Sequence, residues 1–387
     1  MTDKKPLKQY LMIPGPTPIP TEILSAMSHE MIGHRGPVFS KILAEVIEGL
    51  KWAYQTKNDV MVFPCSGTGG METAVVNTLS AGDKALFVNI GNFGDRWIKI
   101  AKTYGVDAID LKVERGTACD PKVLAAELAK DSNKEIKAVF MQQNETSTGV
   151  INDVKALAAV VRKSHPDVLI LVDAVSGLLT ADLKSDDWDL DVVVSGSQKA
   201  FMVPPGIAAV SMSKRAWKAY ESSTLPKHYW DIKVQKKFAD KGQTYTTPPE
   251  SIIFGMHKAV EMLKKEGLEN IFERHAENKK IVRAGLKGVG CKLLADDVCS
   301  SPAVTAIFPP DGVDAEKVRS EMRNRFGVEL APGQGDLKGK IFRIGHLGYV
   351  DKLELVATIG ALELLFSQMG APVEIGKGTK AALEQIK

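Results

Sequence analysis

Apolar runs of strand length recur through the middle of the chain: "KALFVNIG", "KAVFMQQN", "VLILVDAV", "LDVVVSGS" and "GIAAVSMS". Their apolar residues are continuous rather than alternating, so both faces of each strand must be covered. Helical patterns such as "METAVVNTL" and "VKALAAVVRK" lie between them. Strands buried on both faces and separated by helices predict an α/β fold with a large, mostly parallel sheet.

A chain of 387 residues exceeds what one core usually serves, which predicts more than one unit. The opening "LMIPGPTPIP" carries four prolines and a glycine in ten residues, so it reads as an extended arm kept out of a sheet centre. From about Pro249 the pattern changes. Two amphipathic helices, "ESIIFGMHKAVEMLKKEG" and "NIFERHAENKKIVRAGLKG", meet around Gly267. Beyond them the short strands "AVTAIFPP", "GVELAPG" and "KIFRIG" alternate with the helices "DAEKVRSEMRNRF" and "KLELVATIGALELLFSQMG". The expected organisation is an arm over 1–18, a large domain over 19–266 and a smaller C-terminal α+β domain over 267–387.

Fifty basic and 47 acidic residues are spread along the chain for a formal charge of +3, which argues against a nucleic-acid or polybasic membrane surface. Small-molecule partners are the better expectation. Cys65, Cys119, Cys291 and Cys299 form no Cys-x-x-Cys pair, which fits reduced thiols and a cytoplasmic location. The N-terminus lacks an apolar signal core, and the apolar stretch "LELVATIGALELLF" is interrupted by glutamates, so no membrane span is expected. The terminal "EQIK" is not a peroxisomal signal.

Three segments carry chemistry. In "SGSQKAFMVPPG", Lys199 sits just past the strand formed by Val192, Val193 and Val194, at the strand end where α/β sheets bind ligands. Pro204, Pro205 and Gly206 fix the backbone that follows. A lysine taken at random is a solvated surface residue, so the neighbouring segments must distinguish this one. "VLILVDAVSG" ends a buried strand with Asp173, a charge that needs a cation; alone it reads equally as a helix N-cap. "CSGTGGMETAVVNTL" sets Ser66, Gly67 and Thr68 before a helix, where free amides and the helix dipole attract an anion. This is neither a dinucleotide fingerprint nor a Walker loop, and alone it is equally a glycine-rich turn. A lysine, a carboxylate and an anion cup at one sheet edge are what pyridoxal phosphate chemistry requires.

With "NETSTGV" added, these segments make the chain resemble the class V aminotransferases of fold type I, most closely the alanine, serine and glyoxylate branch. The resemblance covers nearly the whole chain. It implies pyridoxal 5'-phosphate as cofactor, with Lys199 as the Schiff-base lysine, Asp173 on the pyridine nitrogen and Gln198 as a cofactor contact. Ser66, Gly67 and Thr68 would form the phosphate cup, and Thr146 would bond the ring hydroxyl. Phe93, in "GNFGDRW", would stack on the ring, where the glyoxylate enzymes often carry tryptophan. Thr247 and Tyr245, in "QTYTTPPES", match residues given to the neighbouring subunit's phosphate, so a homodimer is implied. Arg343, in "KIFRIGHLG", would take the substrate carboxylate with its planar fork; without the resemblance it reads as a surface strand arginine. Gly15 would supply a backbone contact at the substrate entrance.

The implied reaction is ping-pong transfer of an amino group from alanine or serine to glyoxylate or pyruvate. Aspartate, aminoethylphosphonate and ureidoglycine remain alternative donors. Cysteine desulfurases share the fold but carry histidines where Gln198 and Phe93 stand here. A non-catalytic scaffold would tolerate loss of Lys199, Asp173 or Arg343. His29 and His34 are five apart, off one helix face, so a metal site is not expected. His346 reads as a capping or packing residue.

Overall fold

The computed structural model describes residues 6–386. Its main sheet has seven strands in the order Asp59–Phe63, Ala208–Met212, Val192–Gly196, Leu169–Asp173, Ile136–Gln142, Lys84–Asn89 and Asp107–Lys112. Ala208–Met212 runs antiparallel to both its neighbours, and every other pair is parallel. The reversal follows from the connection. Residues 197–207 contain no helix, and a parallel return needs a longer crossover. Because Asp59–Phe63 is reversed relative to a reversed strand, it points the same way as the rest. The loops after Phe63, Asn89, Gln142, Asp173 and Gly196 therefore open on one edge of the sheet.

The continuous apolar runs arise because the sheet is covered on both sides. Leu86, Val88, Val139, Met141, Ile170, Val172 and Val193 share one core cluster with Leu43 and Leu50 of helix Pro37–Tyr54 and Leu157 of helix Val154–Ser164. Their alternating neighbours Ala85, Phe87, Ala138, Phe140, Leu171 and Val194 pack with Met71, Val75 and Trp97 on the other face. Phe87 stacks on Phe140 at 4.3 Å between centroids, and Trp97 meets Phe140 edge-on at 4.8 Å. One of the seven strands escapes the pattern of apolar runs: Asp107–Lys112, "DAIDLK", is an edge with no fully buried residue, whereas Asp59–Phe63, though not among the runs quoted above, is apolar and buried from Val60 onward.

A second, five-stranded sheet runs in the order Tyr10–Met12, Val328–Pro332, Phe342–Gly345, Val304–Phe308 and Lys292–Leu293. Ile281, Val282 and Leu286 of helix Leu268–Gly288 pack on it with Leu355, Ile359 and Leu362 of helix Lys352–Gln368. The arm joins the two halves. Tyr10–Met12, ahead of the prolines, keeps its N–H groups and adds a parallel edge strand beside Val328. The chain then crosses to the main sheet, where the Thr17 amide donates to the Gln198 carbonyl at 3.3 Å and the Thr17 hydroxyl to the Lys199 carbonyl at 3.0 Å. Among the described residues, no helix is long and apolar enough to cross a membrane.

Tyr54 fixes helix Pro37–Tyr54 to the strand that leads to Lys199. Its fully buried hydroxyl lies 2.7 Å from Ser195 Oγ and 2.8 Å from the Ala209 carbonyl. Removing it leaves both partners buried and short of a bond. Tyr54→Phe is expected to cost about 1–2 kcal/mol, seen as a lower urea midpoint with an unchanged slope.

Candidate active site

The loops at the carboxyl edge enclose a cavity of about 240 Å³. Ser66, Gly67, Thr68, Phe93, Thr146, Asp173, Gln198 and Lys199 line it together with Met71, Arg96, Val175 and Ser176. Gly15 and Arg343 adjoin it through Lys199 and Thr146. Tyr245 and Thr247 do not line this cavity in their own chain. The Tyr245 hydroxyl pairs with His228 Nε2 at 3.2 Å, and Thr247 is exposed.

Lys199 is held by its loop and by the arm. The Ser197 hydroxyl donates to the Pro204 carbonyl at 2.6 Å and accepts from the Ile207 amide, which closes the loop around the lysine. The Lys199 ammonium donates to the Pro14 carbonyl at 2.6 Å. Gly15, at φ 136°, permits this approach: a Cβ there would lie 2.5 Å from Lys199 Nζ. Lys199 is 9% exposed, and burial, helped by the Arg343 charge, brings its ammonium down to about 8. Asp173 works in the opposite direction. Burial pushes its carboxyl up to about 7, against a hydrogen bond at 2.9 Å from the Val175 amide and the opposing charges of Lys199 and Arg96.

Ser66 is the N-cap of helix Gly67–Thr78, yet its side chain makes no capping bond, so the first amides of the helix lack that partner. The Arg96 guanidinium donates to Thr68 Oγ1 at 3.0 Å and lies 4.7 Å over the Phe93 ring. Arg96 is absent from the sequence-based candidates. Its place three residues after Phe93 at a helix start was the available signal.

Glu145 is a second residue the sequence reading passed over, although it stands inside "NETSTGV". Its fully buried carboxylate accepts from the Phe93 amide at 3.0 Å, the Gly94 amide at 3.3 Å and both the amide and hydroxyl of Ser147. Burial raises its pKa against those bonds. The neighbouring Thr146 donates its hydroxyl to Ser176 Oγ at 2.7 Å, and its carbonyl accepts from Arg343 Nη1 at 2.7 Å.

Arg343, on strand Phe342–Gly345, is 3% exposed, so it is not a surface arginine. Nε donates to the Pro332 carbonyl at 2.8 Å. Among the described residues no carboxylate forms an ion pair with it, and burial brings its guanidinium down to about 10. Gln198 Oε1 is likewise buried without a partner.

Among the described residues no histidine lines this cavity. His34 lies 3.9 Å from Glu250, and among the described residues no three His, Cys, Asp or Glu side chains are grouped to hold a metal ion. His346 is fully buried, pairs with Thr305 Oγ1 at 3.0 Å and is brought down to about 3 by burial.

A site this buried costs stability. Between pH 8 and 10.5 the unfolded chain keeps the Lys199 proton that the folded chain has lost, so this residue makes stability rise with pH across that window. Below it the burial cost is fully present. Lys199→Met is therefore expected to raise the melting temperature of cofactor-free protein at pH 7 by roughly a few degrees, with the gain shrinking towards pH 10. Scanning calorimetry at the two pH values checks both signs.

A family model described as aminotransferase class-V matches residues 9–336. The soluble hydrogenase 42 kDa subunit of Anabaena cylindrica is 45% identical over 94% of this chain and 94% of its own. The L-aspartate–glyoxylate aminotransferase of Paracoccus denitrificans is 37% identical over 100% of this chain and 97% of its own. The crystal structure of ureidoglycine–glyoxylate aminotransferase from Bacillus subtilis matches with a TM-score of 0.91 at 32% identity, over 100% of this chain and 99% of that one. The chain thus belongs to the class V aminotransferases, with the architecture of the fold type I pyridoxal-phosphate-dependent enzymes.

Proposed function

We propose that this aminotransferase moves the amino group of a small amino acid, alanine or serine, to glyoxylate or pyruvate in a ping-pong cycle. The observation that carries the reading is Arg343, a buried guanidinium with no carboxylate partner among the described residues. Two of its five N–H groups bond carbonyls, and the other three remain for the carboxylate that amino and keto acids share.

The cavity residues fit pyridoxal 5'-phosphate. The uncapped start of helix Gly67–Thr78, with Ser66 and Thr68, suits a phosphate. Asp173, lifted by burial to about 7, lacks a bonded cation that a protonated ring nitrogen would supply. The orphaned Gln198 Oε1 and the Phe93 and Val175 side chains offer a polar contact and two apolar walls. When bound, the cofactor supplies an electron sink for the pair released at the donor's Cα.

The chain's own groups do the rest. Lys199, brought down to about 8, has a neutral amine accessible near neutral pH, so its Nζ would hold the cofactor and could carry a proton to and from the donor's Cα. Asp173 would hold a proton on the ring nitrogen. Arg343 fixes the carboxylate and so orients the Cα–H bond.

Thr247 and Tyr245 serve the neighbouring subunit's phosphate in a homodimer, a reading favoured by their position outside their own cavity. The cytosol suits the four cysteines, all free. A non-catalytic scaffold, the reading raised by relatives described as hydrogenase subunits, gives no reason to bury Lys199 and Arg343 unpaired. A cysteine desulfurase is disfavoured by Gln198 and Phe93.

The test is visible absorbance of purified protein during addition of single amines. Alanine or serine should bleach the cofactor band, and glyoxylate or pyruvate should restore it. Bleaching only by aspartate, aminoethylphosphonate or ureidoglycine replaces the donor, while absence of a band after adding cofactor returns the scaffold reading. Lys199→Ala is expected to shift the band and cut turnover by about 10³-fold or more. Arg343→Lys should raise KM for donor and acceptor alike by roughly 10-fold or more, since an ammonium cannot reproduce the fork.

A further inference from the structure

We propose that Arg96 is a positioning residue that ties the phosphate end of the cavity to its ring wall, an inference that rests on the cofactor reading above. Helix Asn92–Thr103 is locked at its start by the Glu145 carboxylate, which accepts from the amides of Phe93 and Gly94. Arg96 follows Phe93 by three residues, so the two side chains share a helix face. Its guanidinium lies 4.7 Å over the Phe93 ring and donates to Thr68 Oγ1 at 3.0 Å.

The charge balance at this point calls for an anion. Among the described residues Arg96 has no carboxylate partner, and the adjacent Asp95 is taken by Arg115 at 2.7 Å. The contact with Thr68 places a cation at the N-terminal turn of helix Gly67–Thr78, the positive end of its dipole, where a positive side chain is unfavourable by itself. Lys199 adds a second cation to the cavity lining, and Asp173 is the one carboxylate there. A phosphate dianion held at the helix amides would relieve the conflict.

The bond to Thr68 has a further consequence. Its oxygen accepts from Arg96, so the hydroxyl proton is free to donate into the cup. Arg96 therefore aims one phosphate ligand and braces the aromatic wall with the same planar group.

The experiment compares binding of pyridoxal 5'-phosphate and of pyridoxal, which lacks the phosphate, to cofactor-stripped protein by quenching of tryptophan fluorescence. Arg96→Met should weaken the phosphorylated ligand by about 10–100-fold, the range of a charge-assisted hydrogen bond, and pyridoxal by less than about 3-fold. Inorganic phosphate should compete with the cofactor on wild-type protein and less well on the variant. Equal weakening of both ligands, or no change in either, overturns the proposal. If Arg96→Met does not reach the wild-type circular dichroism spectrum, Arg96→Lys serves instead, with the same preference expected at smaller size and the same outcomes overturning it. Wild-type protein that binds neither ligand would overturn the cofactor reading as well, which separates the two failures.

Discussion

The contact on which the site depends is that between Lys199 Nζ and the Pro14 carbonyl, at 2.6 Å. It joins a lysine at the edge of the main sheet to an arm whose preceding residues, Tyr10–Met12, are paired into the other sheet. A buried ammonium with one carbonyl partner is poorly solvated, and burial together with the Arg343 charge brings its pKa down to about 8. The arrangement persists because the rest of the loop is satisfied: Ser197 closes it, Thr17 anchors the carbonyls of Gln198 and Lys199, and Gly15 leaves the space the amine occupies. Displacing the arm would move the lysine.

Glu145 organises the opposite wall. Its carboxylate accepts from the start of helix Asn92–Thr103 and so sets Phe93 and Arg96, while the next residue, Thr146, carries the carbonyl that holds Arg343. A single tripeptide, Glu145–Thr146–Ser147, thus places the aromatic wall, the guanidinium braced on it and the arginine of the second sheet. Four hydrogen bonds to its carboxylate offset part of the cost of burying the acid there. Its charge opposes the burial of Arg343 and in return pushes Asp173 further up. The site's carboxyls and cations are therefore shifted first by burial and then by one another.

Legibility in the sequence followed the range of the forces. The central strands were readable because burial on both faces writes a continuous apolar run; edge strand Asp107–Lys112 was not, because an exposed edge carries ordinary polar residues. Lys199, Asp173 and the cup before helix Gly67–Thr78 were readable because each closes a strand or opens a helix, where a polar residue after an apolar run is conspicuous. Arg343 needed the family resemblance: nothing in "KIFRIGHLG" separates a buried strand arginine from a surface one. Arg96 and Glu145 were missed for the same reason. Their importance lies in partners 28 and 52 residues away along the chain, Thr68 and Phe93, which only the fold brings near.

The electrostatics also explain why relatives of one fold can differ in the amine they take. On the proposed reading, the features that would hold the cofactor, the helix start, Asp173 and Lys199, all belong to the main sheet's edge, whereas Arg343 arrives from the second sheet on strand Phe342–Gly345. That reading puts cofactor chemistry and carboxylate recognition on different cores, joined by the Arg343–Thr146 and Lys199–Pro14 hydrogen bonds. On that reading a donor's side chain would be read between the two cores, where shape rather than further charge would decide.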